Sequence, residues 1–373
     1  MKQAPSQAKR RNAADGPDSG MDSAQAPPTE ARRRHFTFRP RWFTLVWMAM
    51  AAALAASSGL LWVVDALKRP HPHPFREEIL VDIPRGASLG QIAQTLEGQG
   101  VVRSARLFRW YSAAFSLSTR LQAGEYLFDR PMSLVEVAEK LRRGDIHYRK
   151  LVLREGLDLD EIVHYLQSQG WGSTQRLEEL AHDTSPMAGL DPQAEDLEGY
   201  LFPDTYHLTR EMNEFQVVSL MLDRFRSAWS EERQRRAQQL GMSLRQVLTL
   251  ASLIEKETAL ASERPLVSSV FHNRLKRNIK LACDPSVIYA VKRVKPYDGI
   301  IHRSDLQLDS PYNTYLYPGL PPGPISNAGL QSIDAALYPA DTDYLYFVSR
   351  NDGSHVFSRT YRQHARAVQE FQR

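Results

Sequence analysis

The chain has little with which to tie itself together through covalent bonds or metal. It holds one cysteine, Cys283, in 373 residues. A single thiol closes no internal disulfide, and a zinc site needs several soft ligands. Cys283 therefore reads as a small buried hydrophobe. Basic charge is scarce where a nucleic-acid binder would need it. The net charge is +4, yet residues 1–41 alone carry nine Lys or Arg against four acids. The remaining chain is slightly acidic and offers no basic footprint for nucleic acid. There is also no collagenous period and no long low-complexity tract. With 42% hydrophobic and 24% charged residues, the composition is that of a globular protein with a real core. The length suggests two or three domains.

One long apolar run is present. Phe43 to Val64 is 22 residues without a charge, enough to cross about 30 Å of hydrocarbon at about 1.5 Å per residue. Trp42, Trp47 and Trp62 lie toward its ends, where interfacial aromatics are favoured, and Arg39 and Arg41 precede it. The positive-inside rule places residues 1–41 in the cytoplasm as a disordered basic tail and everything after about Asp65 outside. Ala53-Leu54-Ala55 has the small-x-small look of a cleavage site. Against cleavage, the apolar run continues past Ala55, and the basic region before it is long for a signal peptide. An uncleaved anchor over residues 42–65 is the expectation.

The stem at 66–78 is proline-rich (Pro70, Pro72, Pro74), which stiffens a spacer toward polyproline II. Ile79–Ile83 reads as a short strand, and Ser88 caps a helix carrying Ile92, Ala93 and Leu96. Arg106–Ala114 looks helical, Gly124–Phe128 strand-like, and Ser133 opens a further helix. This arrangement, with Pro84-x-Gly86-x-Ser88 before the helix, resembles a LysM-like module, a type that binds N-acetylglucosamine-containing glycans. Residues 147–153 are strand-like, with helices expected near Leu159–Gln169 and Ser173–Ala181. From Leu197 onward polar and aromatic residues crowd into turns, a texture that often marks a site.

The segment Ser243–Thr258 is the informative helix. Ser243 and Gln246 form a capping box. Leu244, Val247, Leu248, Ala251 and Ile254 mark an apolar stripe, and Glu255 continues it. A carboxylate there is either paired or pushed up by desolvation, and a glycosidic acid needs the second property. Glu257, about 200° around the helix from Glu255, faces elsewhere. Downstream, Ser262 is expected to cap a helix through Val267, Val270, Phe271 and Leu275. Asn273 on that helix and the turns expected at Asp284-Pro285-Ser286 and Asn313-Thr314-Tyr315 supply side chains suited to sugar hydroxyls and acetamides. Glu198 and Tyr206 lie in the dense segment Leu197-Glu198-Gly199-Tyr200-Leu201-Phe202-Pro203-Asp204-Thr205-Tyr206.

Seven ordered motifs carry a specific resemblance. They are the Leu197–Tyr206 segment, Ala251-Ser252-Leu253-Ile254-Glu255-Lys256-Glu257, Phe271-His272-Asn273-Arg274-Leu275, Asp284–Tyr289, Tyr312-Asn313-Thr314-Tyr315, Gly319–Ile325 and Tyr344–Val348. In this order the chain resembles the endolytic murein transglycosylase family (MltG, YceG-like) over about Phe43–Gln372. The resemblance implies an α+β fold: transmembrane anchor, LysM-like module at 79–150, and catalytic domain at 151–373. It implies a lyase at the inner membrane that cuts peptidoglycan glycan strands between N-acetylmuramic acid and N-acetylglucosamine. It further implies 1,6-anhydro ends, termination of nascent strands, and partnership with penicillin-binding peptidoglycan synthases. It implies Glu255 as the single catalytic acid/base, with Glu198, Tyr206, Asn273, Asp284, Asn313, Thr314 and Tyr315 around the substrate. No metal and no cofactor are implied. The chain departs from the family at Ala282-Cys283, where Gln and then Ser or Thr are usual. Two rivals stand beside this reading. One is a hydrolase with a second carboxylate among Glu198, Asp204, Glu257 and Asp284; the other is a non-enzymatic glycan-binding scaffold.

Overall fold

Local capping chemistry sets most element boundaries. In the computed structural model, which describes residues 41–71 and 78–372, helix α1 (Arg41–Lys68) contains the uncharged run. Apolar residues along it, among them Leu45, Met48, Leu54 and Leu61, are exposed. A helix this long and apolar is able to cross a membrane. Residues 1–40 of the basic tail and 72–77 of the proline-rich stem lie outside the described residues.

Strand β1 (Ile79–Ile83), helices α2 (Leu89–Gly98) and α3 (Ala105–Ala114) and strand β2 (Gly124–Phe128) follow, with α4 (Leu134–Arg143) behind them. Ser88 and Ser133 form capping boxes with Gln91 and Glu136, as their spacing predicts. β1 and β2 pair antiparallel, Val81 opposite Tyr126. Val81, Ile83, Leu96, Phe108, Tyr126, Phe128 and Leu141 close one hydrophobic core.

A second core begins with β3 (Arg149–Val152), α5 (Leu159–Ser168), α6 (Thr174–Ala181) and β4 (Thr205–Leu208), where β3 and β4 pair antiparallel. Helices α7 (Glu214–Ala228), α8 (Glu231–Leu240), α9 (Leu244–Glu257), α10 (Arg264–Lys276), α11 (Asp284–Lys292) and α12 (Leu330–Leu337) build the bulk of it. The hairpin β5 (Tyr346–Ser349) and β6 (His355–Ser358) and helix α13 (Tyr361–Phe371) complete the described residues. The fold is mixed α/β, with three two-stranded antiparallel sheets among the described residues.

Two local expectations change. Ser262 does not cap α10: Glu263 is its N-cap, without a side-chain cap bond, and Pro265 sits in the first turn. Proline fits there because its missing N–H would have had no intrahelical partner. Asp284 is not in a turn but opens α11, again with proline in the first turn. In the Leu197–Tyr206 segment, Gly199 has φ +84°, and a Cβ there would lie 2.6 Å from Pro324 Cγ. Both backbone conformation and close approach require glycine.

Candidate active site

Helix α9 is the pillar of the second core. Ser243 and Gln246 cap it as expected. Its middle, however, has no solvent face: Val247 through Ile254 are buried without interruption. Helices α8, α10, α11 and α12 pack around it. On a helix enclosed this way, membership of an apolar stripe does not tell which carboxylate at its end meets a substrate.

Of the two states open to Glu255, the structure shows pairing. Arg264 Nη2 donates to Glu255 Oε1 at 2.9 Å, and the Gly329 N–H donates to Oε2 at 3.0 Å. The ion pair is buried, with side chains 7% exposed for Glu255 and 8% for Arg264. Arg264 also reaches Gln331 at 2.7 Å and Glu155 at 3.5 Å. Burial, and then the charge of Glu255, push the Glu155 carboxyl up, against the pull of Arg264. Lys256 adds a bond to the Gly156 carbonyl at 3.0 Å. The cluster ties the Glu155-Gly156 turn and the start of α12 to the end of α9.

Glu257 looks out on a different scene. It lines a cleft of about 440 Å³ together with Arg274, Ala282, Asp284, Tyr315, Tyr346 and His355. Burial is the largest influence on its carboxyl and pushes it up to about 7. The Cys283 thiol hydrogen-bonds it and works the other way, the Asp284 charge reinforces the rise, and His355 and Arg274 oppose it. A carboxyl with that affinity still carries its proton near neutral pH, as a glycosidic acid must. Tyr315 donates to Asp284 Oδ1 at 2.5 Å, so these two expected site residues do converge here. The far wall is aromatic: Tyr346 stacks on His364 at 5.2 Å and meets Tyr361 edge-on at 6.1 Å. Exposed aromatic faces beside acids suit the apolar faces of sugar rings.

The other expected contacts are occupied with the fold. Asn313 is fully buried and spends its amide on the Leu306 and Leu308 carbonyls. Thr314 is buried and accepts from the Cys283 N–H at 2.9 Å. Asn273 ties α10 to the carbonyls of Thr342 and Tyr344. The Tyr206 hydroxyl donates to the Phe202 carbonyl at 2.5 Å. Glu198 lines a separate cavity of about 280 Å³. It accepts from the Leu159 N–H and the Asn327 amide, and burial raises its carboxyl well above the ordinary range. The sequence reading missed the contributions of Arg274, Tyr346, Tyr361 and His355 to the cleft, and named Glu257 only as a second carboxylate of the rival hydrolase. The one signal for Glu257 was its place in the Glu-Lys-Glu motif.

Three comparisons bear on this geometry. The model of the YceG-like family matches residues 81–370. The endolytic murein transglycosylase of Bacillus subtilis is 32% identical over 321 residues, 82% of this chain and 88% of that protein. Its namesake in Streptococcus pneumoniae is 27% identical over 88% of this chain, which spans 65% of the pneumococcal protein. The crystal structure of a putative YceG-like protein from Listeria monocytogenes superposes with TM-score 0.55 at 32% identity, covering 78% of this chain and 99% of that one. A match of this extent, over both hydrophobic cores and the cleft, means that the chain belongs to the YceG-like family.

Proposed function

We propose that this chain is a membrane-anchored endolytic murein transglycosylase, a lyase of the 4.2.2 class, with Glu257 rather than Glu255 as its proton-transferring carboxyl. The observation that carries the assignment is the position of Glu257 in the aromatic cleft with its carboxyl held near 7. Glu255, bound on both oxygens, has the features of a structural ion pair.

In the reaction, protonated Glu257 gives its proton to the glycosidic oxygen leaving N-acetylmuramic acid. The 2-acetamido oxygen of that sugar steadies the positive charge at C1, as in substrate-assisted glycosidases. The Glu257 carboxylate then accepts the proton of the same sugar's C6 hydroxyl, whose oxygen closes onto C1. The product is a 1,6-anhydro end, no water is consumed, and Glu257 is protonated again. The same cut, made in a growing strand, would end its elongation and bring the enzyme beside penicillin-binding synthases. The strand–helix–helix–strand order of residues 79–128 supports the LysM-like reading of that module, with glycan as its ligand.

Asp284 in the same cleft keeps one rival reading specific, since a second carboxylate could activate water instead. Mass spectrometry of glycan products decides between them: anhydro ends are expected, and reducing muramic ends would indicate hydrolysis. Because the acid form of Glu257 starts the reaction, turnover should be level below about pH 7 and fall about tenfold per pH unit above it. A rate still rising beyond about pH 8 would remove Glu257 from the acid role.

The anchor reading predicts that residues 1–41 are cytoplasmic and the cleft lies outside. A reporter that works only outside the cytoplasm, fused after Gln372, should be active. Silence of that reporter would reverse the topology.

A further inference from the structure

The inner wall of the cleft holds a second titratable group that the proton transfers above do not use. His355 begins β6, and Glu263 grips it twice. The ring Nδ1 lies 2.6 Å from Glu263 Oε2, and the His355 N–H donates to Oε1 at 2.9 Å. Both side chains are largely covered, 10% exposed for His355 and 12% for Glu263. The Phe347 ring meets the imidazole edge-on at 5.5 Å, which fixes its plane. Glu263 is itself the N-cap of α10 and contacts the Thr258 hydroxyl at 3.5 Å, so the clamp is anchored one residue beyond Glu257. With Nδ1 occupied, Nε2 is the ring nitrogen left for the cleft, which His355 and Glu257 line together.

The charged and titratable groups around Glu257 are Arg274 on α10, Cys283 and Asp284 at the start of α11, Tyr315 on the following loop and His355 on β6, with His364 of α13 lining the same cleft. Arg274 is committed elsewhere, donating to the carbonyls of Leu345 at 2.7 Å and Leu281 at 2.5 Å while lying over the Tyr346 ring. Asp284 accepts from Tyr315. Of the groups that act on the Glu257 carboxyl, His355 is the histidine, the residue type whose charge changes near physiological pH.

We propose that His355, clamped by Glu263, is a positioning residue that sets how firmly Glu257 keeps its proton. A charged imidazole at this place favours the Glu257 carboxylate, and a neutral one favours the acid form. The inference rests on Glu257 being the acid.

The test uses the full-length protein in detergent micelles, with anhydro ends counted by mass spectrometry across pH. The variants are His355→Gln, Glu263→Gln and Glu257→Gln. Glutamine at 355 keeps a donor for Glu263 and cannot carry charge. The descending limb of kcat should then move up by about half a pH unit, a roughly threefold gain in turnover near about pH 8 relative to about pH 6, with KM unchanged within about twofold. Glu263→Gln, which loosens the ring, should move the limb in the same direction. A uniform fall in kcat with the limb unmoved would mark a merely structural histidine and overturn the proposal. Should His355→Gln fail to fold, as read by thermal unfolding, Glu263→Gln decides by the same criterion. An unmoved limb beside an inactive Glu257→Gln sinks this inference alone. Activity retained by Glu257→Gln sinks the acid assignment, and this inference with it.

Discussion

Glu257→Gln is expected to end glycan cleavage while leaving the protein folded, bound to glycan and, at alkaline pH, more stable than the wild type. The amide matches the carboxyl in size and cannot shuttle a proton, and general acid–base help of this kind is worth about 10²–10⁴-fold. The stability change follows from the same desolvation that makes the group an acid. Burial holds the folded carboxyl at about 7, above the ordinary value of 4.5. Its contribution to stability is complete below the unfolded value and is lost progressively as pH rises from about 4.5 to about 7. Glutamine does not titrate and escapes that loss. After discounting for partial exposure to the cleft, the variant should gain about 1–2 kcal/mol near about pH 8 and nothing near about pH 4.5. Denaturant unfolding at the two pH values, alongside product counting, measures both effects. Loss of activity with an equal loss of stability would assign Glu257 to the fold.

Glu255→Gln should do the reverse, impairing the fold before the chemistry. It neutralises one side of a buried ion pair and leaves Arg264, 8% exposed, without its main counter-charge. Removing one partner of such a pair costs about 3–5 kcal/mol. The amide retains an acceptor for Arg264 or Gly329, so about 3 kcal/mol is expected, a fall in Tm of roughly 6–10 °C. Whatever remains folded at low temperature should still release anhydro ends, within about tenfold of the wild-type rate. A Glu255→Gln protein with wild-type Tm and no activity would return the acid role to Glu255. Because the two variants carry the same chemical change two residues apart on α9, each controls for the other.

Much of the local structure was readable in advance. Ser88, Ser133 and Ser243 cap their helices because a serine followed three residues later by Gln or Glu satisfies two orphan N–H groups within one turn. That device needs no distant partner. Ser262 failed as a cap because α10 begins at Arg264 with Glu263, already in right-handed helical geometry, in the N-cap place, and Glu263 is held by His355 from β6. Asn313 and Thr314 have the chemistry of sugar ligands, yet their donors and acceptors go to backbone groups within the turn and at the entry to α11. Residue type alone cannot separate the two uses.

The sequence by itself determined the uncharged span of α1, the capped helices, the ordered motifs of the family and the pair of glutamates at the end of α9. Each is local, or a matter of composition and order along the chain. Which glutamate meets the cleft was decided only by tertiary structure. Helix α9 is enclosed by α8, α10, α11 and α12, so hydrophobic periodicity points to no single outer face. Arg264 on α10 captures Glu255. Cys283 and Asp284 on α11, with His355 on β6, surround Glu257. Those partners lie up to about a hundred residues away, and they, not the helix that carries both carboxyls, give the two groups different surroundings.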